Sequence, residues 1–159
     1  MSLKPYQEKI IQQMIDQELL ISELYALFAK DFPQYSAFWT ELSGEEKKHA
    51  DLISKLEEAE KKGLVFFDEG KTKSYTLTVF ISHLEKQCQK AKNKEFDIAA
   101  AFSSAFDLEQ ALIEKDVFTR FDSLTEKTGS VMNRLRTETK KHMEKIRLKR
   151  KEISDITRQ

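Results

Sequence analysis

The pentapeptide Glu45-Glu46-Lys47-Lys48-His49 returns later in the chain as Glu138-Thr139-Lys140-Lys141-His142. In each copy the second and fifth residues fall on the apolar stripe of a long helix. The first stripe reads Tyr35, Phe38, Leu42, Glu46, His49, Ile53 and Leu56, in steps of three and four residues. The second reads Met132, Leu135, Thr139, His142, Ile146 and Ile153. An uncompensated charge on such a face costs several kcal/mol, so a carboxylate and imidazoles there are not packing residues. The copies differ at one chemical point: Thr139 stands where the first has Glu46.

The repeat extends upstream of both motifs. Gln13-Met14-Ile15-Asp16-Gln17-Glu18 aligns with Ser104-Ala105-Phe106-Asp107-Leu108-Glu109, and Ile21 and Glu23 align with Leu112 and Glu114. Two further stripes carry these glutamates: Ile11, Met14, Glu18, Ile21, Tyr25, Phe28, and Ile98, Phe102, Ala105, Glu109, Leu112, Asp116. Each half is thus a helical hairpin, with a lone core Glu on its first helix and the His motif on its second.

The first helix opens near Pro5, tolerated in a first turn, and Pro33 ends it. The second runs to about Gly63, a C-terminal stop behind a lysine pair. Residues 64–74 read as an irregular crossing segment, followed by a shorter helix from about Tyr75 to Lys92 that Asn93 and Lys94 interrupt. That crossover, 64–95, is expected to let the third bundle helix start back at the same end as the first. The third helix starts near Phe96, and Thr125–Ser130, with Gly129, reads as the second turn. The charged text after Lys149 predicts fraying at 150–159. The whole chain, 1–159, reads as one all-α domain: a four-helix bundle of two hairpins joined by a crossover with a short extra helix.

Bulk composition agrees. Gly (4) and Pro (2) are scarce, so connections are few and helices long. Lys and Arg (27) balance Asp and Glu (27), which gives no reason to expect nucleic acid as a partner. The N-terminal residues contain no apolar run, and no stretch is long enough to span a bilayer, so neither a signal peptide nor a membrane partner is expected and the chain reads as cytoplasmic. Cys88 is alone, which excludes a disulfide framework and any Cys-x-x-Cys metal site.

Glu18, Glu46, His49, Glu109 and His142 lie near the middle of their helices, at one level of a bundle. A divalent cation would compensate them together, and this oxygen and nitrogen donor set suits iron, manganese or zinc better than calcium. Glu138, turned about 100° from the stripe, is not expected to reach the centre. Thr139 is expected to bond back to a carbonyl of its own preceding turn. Tyr25 reads equally as a hydrogen-bond donor to a metal-bound carboxylate or as core. Asp116, its repeat counterpart, reads as an exposed residue at the bundle end. His83 and Cys88 read as structural or exposed, and Trp39 and the phenylalanines as core.

Glu18 with Tyr25 seven residues on, Phe38-Trp39 before Glu46-x-x-His49-Ala50, then Glu109 and His142, resemble the ferritin-like di-iron carboxylate proteins of the rubrerythrin type along nearly the whole chain. The resemblance implies a ferritin-like bundle, with Glu18 and Glu109 as terminal ligands, Glu46 as a bridging one, and His49 and His142 as nitrogen ligands. It implies a redox centre reacting with peroxide or oxygen, and it allows a homodimer through exposed helix faces. Two departures stand out. Thr139 takes the second bridging position, leaving two ions if the site is complete and one if Thr139 disables it. The Cys-x-x-Cys pairs that deliver electrons in rubrerythrins are missing, so a redox-active chain would need an external electron donor. The alternative is a non-catalytic bundle, holding one metal or serving as a scaffold around a degenerate site.

Overall fold

The computed structural model describes residues 5–61, 65–67, 74–114, 121–123 and 126–157, with the short connections at 32–35 and 93–97 included. Among these, the helices are α1 (Pro5–Asp31), α2 (Ser36–Lys61), α3 (Ser74–Lys92), α4 (Ile98–Glu114) and α5 (Glu126–Thr157). The all-α reading holds for the body of the molecule. Two three-residue strands, β1 (Val65–Phe67) and β2 (Phe121–Ser123), pair antiparallel, with Val65 opposite Ser123 and Phe67 opposite Phe121. The segment expected to be irregular therefore contains a strand. Val-Phe-Phe has the branched and aromatic character that strands favour, but its partner lies far along the chain and carries no pattern of its own.

Helix boundaries follow local chemistry. Pro33 opens a single 3-10 turn (Pro33–Tyr35) between α1 and α2. Lys94 ends α3 in the left-handed region at φ 56°. Around it the Glu95 amide bonds the Lys90 carbonyl at 3.1 Å and the Lys94 amide bonds the Ala91 carbonyl at 3.0 Å. These are the paired bonds of a Schellman stop. Asp97 caps α4, its Oδ1 accepting from the Ala100 amide at 2.7 Å, as a residue at that position does. The turn expected at Thr125–Ser130 is a correction: helix α5 already runs from Glu126 and passes through Gly129. One glycine costs a helix only about 1 kcal/mol, too little to break one this long. Helical geometry continues past Lys149 to Thr157.

α1 packs on α2 and α3, α4 packs on α5, and α2 packs on α5. α1 and α2 are antiparallel, since Phe28 meets Trp39 at one end and Ser22 meets Ser43 nearer the middle. The Ser22 and Ser43 hydroxyls each lie 2.8 Å from the other's backbone carbonyl, which joins the two helices at close approach. α2 and α5 are also antiparallel, with Glu41 near Lys145 and His49 near Glu138.

The crossover runs differently from expectation. Gln13 meets Thr78, the Leu20 carbonyl meets Cys88, and Glu23 meets Lys92, so α3 runs parallel to α1. At the α-helical rise, α3 carries the chain about 28 Å along the bundle. α4 therefore starts beside the end of α1, where Phe96 stacks edge-on to Phe28 at 5.0 Å, and not beside its start. The reason is physical: a helix in the crossover advances along the bundle instead of turning back.

The end of the bundle between α1 and α2 is filled with rings. Trp39, fully buried, lies 5.4 Å from Tyr25, 5.0 Å from Phe28, 5.1 Å from Phe38 and 4.7 Å from Phe102. Each such ring buried is worth roughly 1.5–3 kcal/mol, and tilted contacts add about 0.5–1.5 kcal/mol. This plug walls one side of the polar layer below. No helix among the described residues is long and apolar enough to cross a membrane.

Candidate metal centre

All five stripe residues expected to form the centre are buried and converge at one level. α1 supplies Glu18, α2 Glu46 and His49, α4 Glu109, and α5 His142. Glu46 is the hub. Its Oε2 lies 3.1 Å from His49 Nδ1, and its Oε1 lies 2.8 Å from His142 Nδ1. The two imidazoles stack at 5.1 Å, 17° from parallel. Glu109 Oε1 stands 3.7 Å from His142 Nδ1 and Glu18 Oε2 stands 4.0 Å from His49 Nδ1, one carboxylate beside each ring. Ligand atoms of Glu46, His49 and His142 lie within 4.8 Å of one another, so this group could hold a metal ion.

The outward nitrogens complete a crossed pattern. His49 Nε2 bonds Glu138 Oε2 of α5 at 2.7 Å, and His142 Nε2 contacts Glu45 Oε2 of α2. Glu45 and Glu138 are the matching first residues of the two pentapeptides, and each grips the histidine of the other helix. Glu138 thus stays away from the hub, as its angle on the helix implies, yet it reaches the far side of His49. Sequence reading passed over this role for both residues; the signal was the shared Glu opening each copy. A carboxylate on Nε2 fixes the ring so that Nδ1 points into the bundle, the arrangement metal-binding imidazoles use.

Thr139 is buried, and its hydroxyl donates to the Leu135 carbonyl at 2.9 Å, as its position in the helix predicts. Tyr25 is core, and its hydroxyl donates to Glu109 Oε1 at 2.7 Å. His83 is exposed; Cys88 is buried, its thiol directed at the Leu20 carbonyl. Asp116 lies outside the described residues. Gln17, beside Glu18, is fully buried with both amide atoms unpartnered, a feature for which the sequence offered no signal.

The electrostatics show strong compression of charge. Burial pushes Glu18 well above the usual carboxylate range, and the charges of Glu46 and Glu109 add to this. Burial and the Glu46 charge push Glu109 up to about 7, against the pull of His142 and Tyr25. Burial would raise Glu46 too, but bonds from His142 and His49 hold it well below its ordinary value. Burial disfavours the charged imidazole of His142, yet its bonds to Glu109 and Glu46 win and raise it to about 11. His49 is raised in the same way, with Glu46 outweighing burial.

These protein groups do not satisfy one another completely. Both oxygens of Glu18, and Oε2 of Glu109, are buried without a hydrogen-bond partner. Buried carboxylate oxygens left in this state are costly. A divalent cation held among these carboxylate oxygens and imidazole nitrogens would give the unpartnered oxygens a partner, and the donor set fits a transition metal. Comparison of the chain with family models, with curated proteins and with solved structures finds no match.

Proposed function

We propose that the chain is a metalloprotein of the rubrerythrin-like kind, built on a ferritin-like bundle, that takes iron at this centre and reacts there with peroxide or oxygen. The observation that carries the reading is the pair of imidazoles turned inward on Glu46, with unpartnered oxygens of Glu18 and Glu109 in the same layer. Glu46, His49 and His142 are the core ligands; Glu18 and Glu109 are the terminal carboxylates. Bound iron would supply one-electron steps, two ions matching the two-electron reduction of peroxide. The protein's part is to orient the imidazoles through Glu45 and Glu138, and to hold a proton near the centre on the Tyr25–Glu109 pair. The aromatic plug excludes water from one side. The lone Cys88 is buried, so electrons come from an external donor.

A second reading is favoured by Thr139. With its hydroxyl committed to Leu135, it offers no bridging ligand, which fits a single-metal site used for binding or as a scaffold. Iron(II) oxidation by peroxide, compared between the wild type and Glu46→Ala, decides between them. A faster oxidation in the wild type supports the redox reading. Coincident traces, from a chain shown to bind iron, leave the single-metal reading.

A further inference from the structure

Above the histidine pair the bundle opens in a mouth of about 370 Å³ lined by Glu45, Lys48, Arg134, Glu138, Lys141, His142 and Lys145. Its carboxylates are already engaged. Glu45 spans His142 Nε2 and Lys145, the latter at 3.6 Å. Glu138 spans His49 Nε2 and Arg134, the latter at 2.9 Å. Lys48 and Lys141 remain, exposed and with no carboxylate partner among the described residues. They are the same position of the two repeated pentapeptides. The mouth therefore carries surplus positive charge beside His142 of the centre, which repels a cation and draws an anion.

Filled with two divalent ions, the centre beneath would be one negative charge short. Two divalent ions would meet three buried carboxylates, Glu18, Glu46 and Glu109, and the fourth position of the repeat is Thr139. One monovalent anion balances that count. Thr139 is shorter than glutamate by the carboxylate itself, and its hydroxyl is turned back to Leu135.

We propose that the basic mouth admits a small carboxylate-type anion that completes the centre in place of the side-chain carboxylate missing at Thr139. The proposal rests on the metal-binding reading above and adds to it the class of co-ligand and its route. Metal and anion then strengthen each other's binding by the same factor, as linkage requires.

Cobalt(II) titrated into the full chain reports both events, through visible absorption and ions bound at equilibrium. Sodium acetate is compared with perchlorate, a weakly coordinating anion, at equal ionic strength. The proposal expects about one ion per chain in perchlorate and about two in saturating acetate, with a changed spectrum. Thr139→Glu should bind two in either buffer and ignore acetate. A Lys48→Gln/Lys141→Gln chain should need about fivefold more acetate, given the loss of two charges from the mouth in screened solvent. Equal stoichiometry and spectra in both buffers, with cobalt bound, overturn the anion site and leave the metal reading intact. An acetate response unaltered in the lysine variant overturns the basic mouth as what draws the anion to the centre, whether or not Thr139→Glu folds. No cobalt bound in either buffer overturns the metal reading and this proposal together.

Discussion

Removing the Glu138 carboxylate should weaken metal binding although Glu138 touches no metal. Its Oε2 lies 2.7 Å from His49 Nε2. A bond this short is charge-assisted and sets the plane of the ring. Loss of such an orienting partner costs about 10–100-fold in metal affinity. The side chain is 29% exposed, so water takes over part of the bond and the lower end applies. Glu138→Ala should therefore weaken zinc binding about tenfold, equal to about 1.4 kcal/mol. Glu45, 28% exposed and on His142, should cost the same. The double variant should depart from the roughly hundredfold loss that independent sites would give, because both rings bond Glu46 and stack at 5.1 Å. Competition against a chromophoric chelator measures these affinities, with far-ultraviolet circular dichroism as the check on helicity. Affinities within about twofold of the wild type in both single variants would refute the crossed pattern as an orienting device.

Tyr25→Phe strips the donor from Glu109 Oε1 inside the core. It should destabilise the chain by about 1.5–3 kcal/mol, read by urea unfolding at about pH 8. Thr139→Val loses only a bond within its own helix. Stability should then fall by no more than about 1 kcal/mol and cobalt affinity should not change; a large affinity loss would make Thr139 a ligand. The pH dependence of metal affinity has a defined sign. In the metal-free chain His142 keeps its proton up to about 11 and Glu109 up to about 7. Both protons must leave as metal enters. Affinity should rise with pH, by at least about a hundredfold per unit below about pH 6 and at least about tenfold per unit above about pH 8, because His49 and Glu18, also raised, release protons in addition. Calorimetry in buffers of different ionisation enthalpy counts the released protons, and a pH-independent affinity would contradict the assignment.

Helical periodicity made most of the core legible. Ile11, Met14, Ile21, Phe28, Leu42, Ile53, Leu112, Leu135 and Ile146 are all buried where the stripes put them. A spacing of three and four maps directly onto one face of a helix. The polar members were legible for the same reason: Glu18, Glu46, His49, Glu109 and His142 interrupt apolar stripes. What escaped was set by pairing between distant segments. The Glu45–His142 and Glu138–His49 contacts join different helices, and no spacing within one helix announces them. The direction of α3 escaped because composition fixes that a helix exists, not which way it lies on its neighbour. The β1–β2 pair needed Val65–Phe67 to find Phe121–Ser123 across the intervening helices. Gln17 gave no warning either, since a polar residue next to a stripe reads as solvent-facing.

The most direct test is the metal content of the purified chain, measured by elemental analysis before and after iron loading, beside a His49→Ala/His142→Ala variant. The account predicts at least one transition-metal ion per wild-type chain and loss of that ion in a variant that remains helical. A metal-free wild type after loading, or equal metal in both chains, would contradict it.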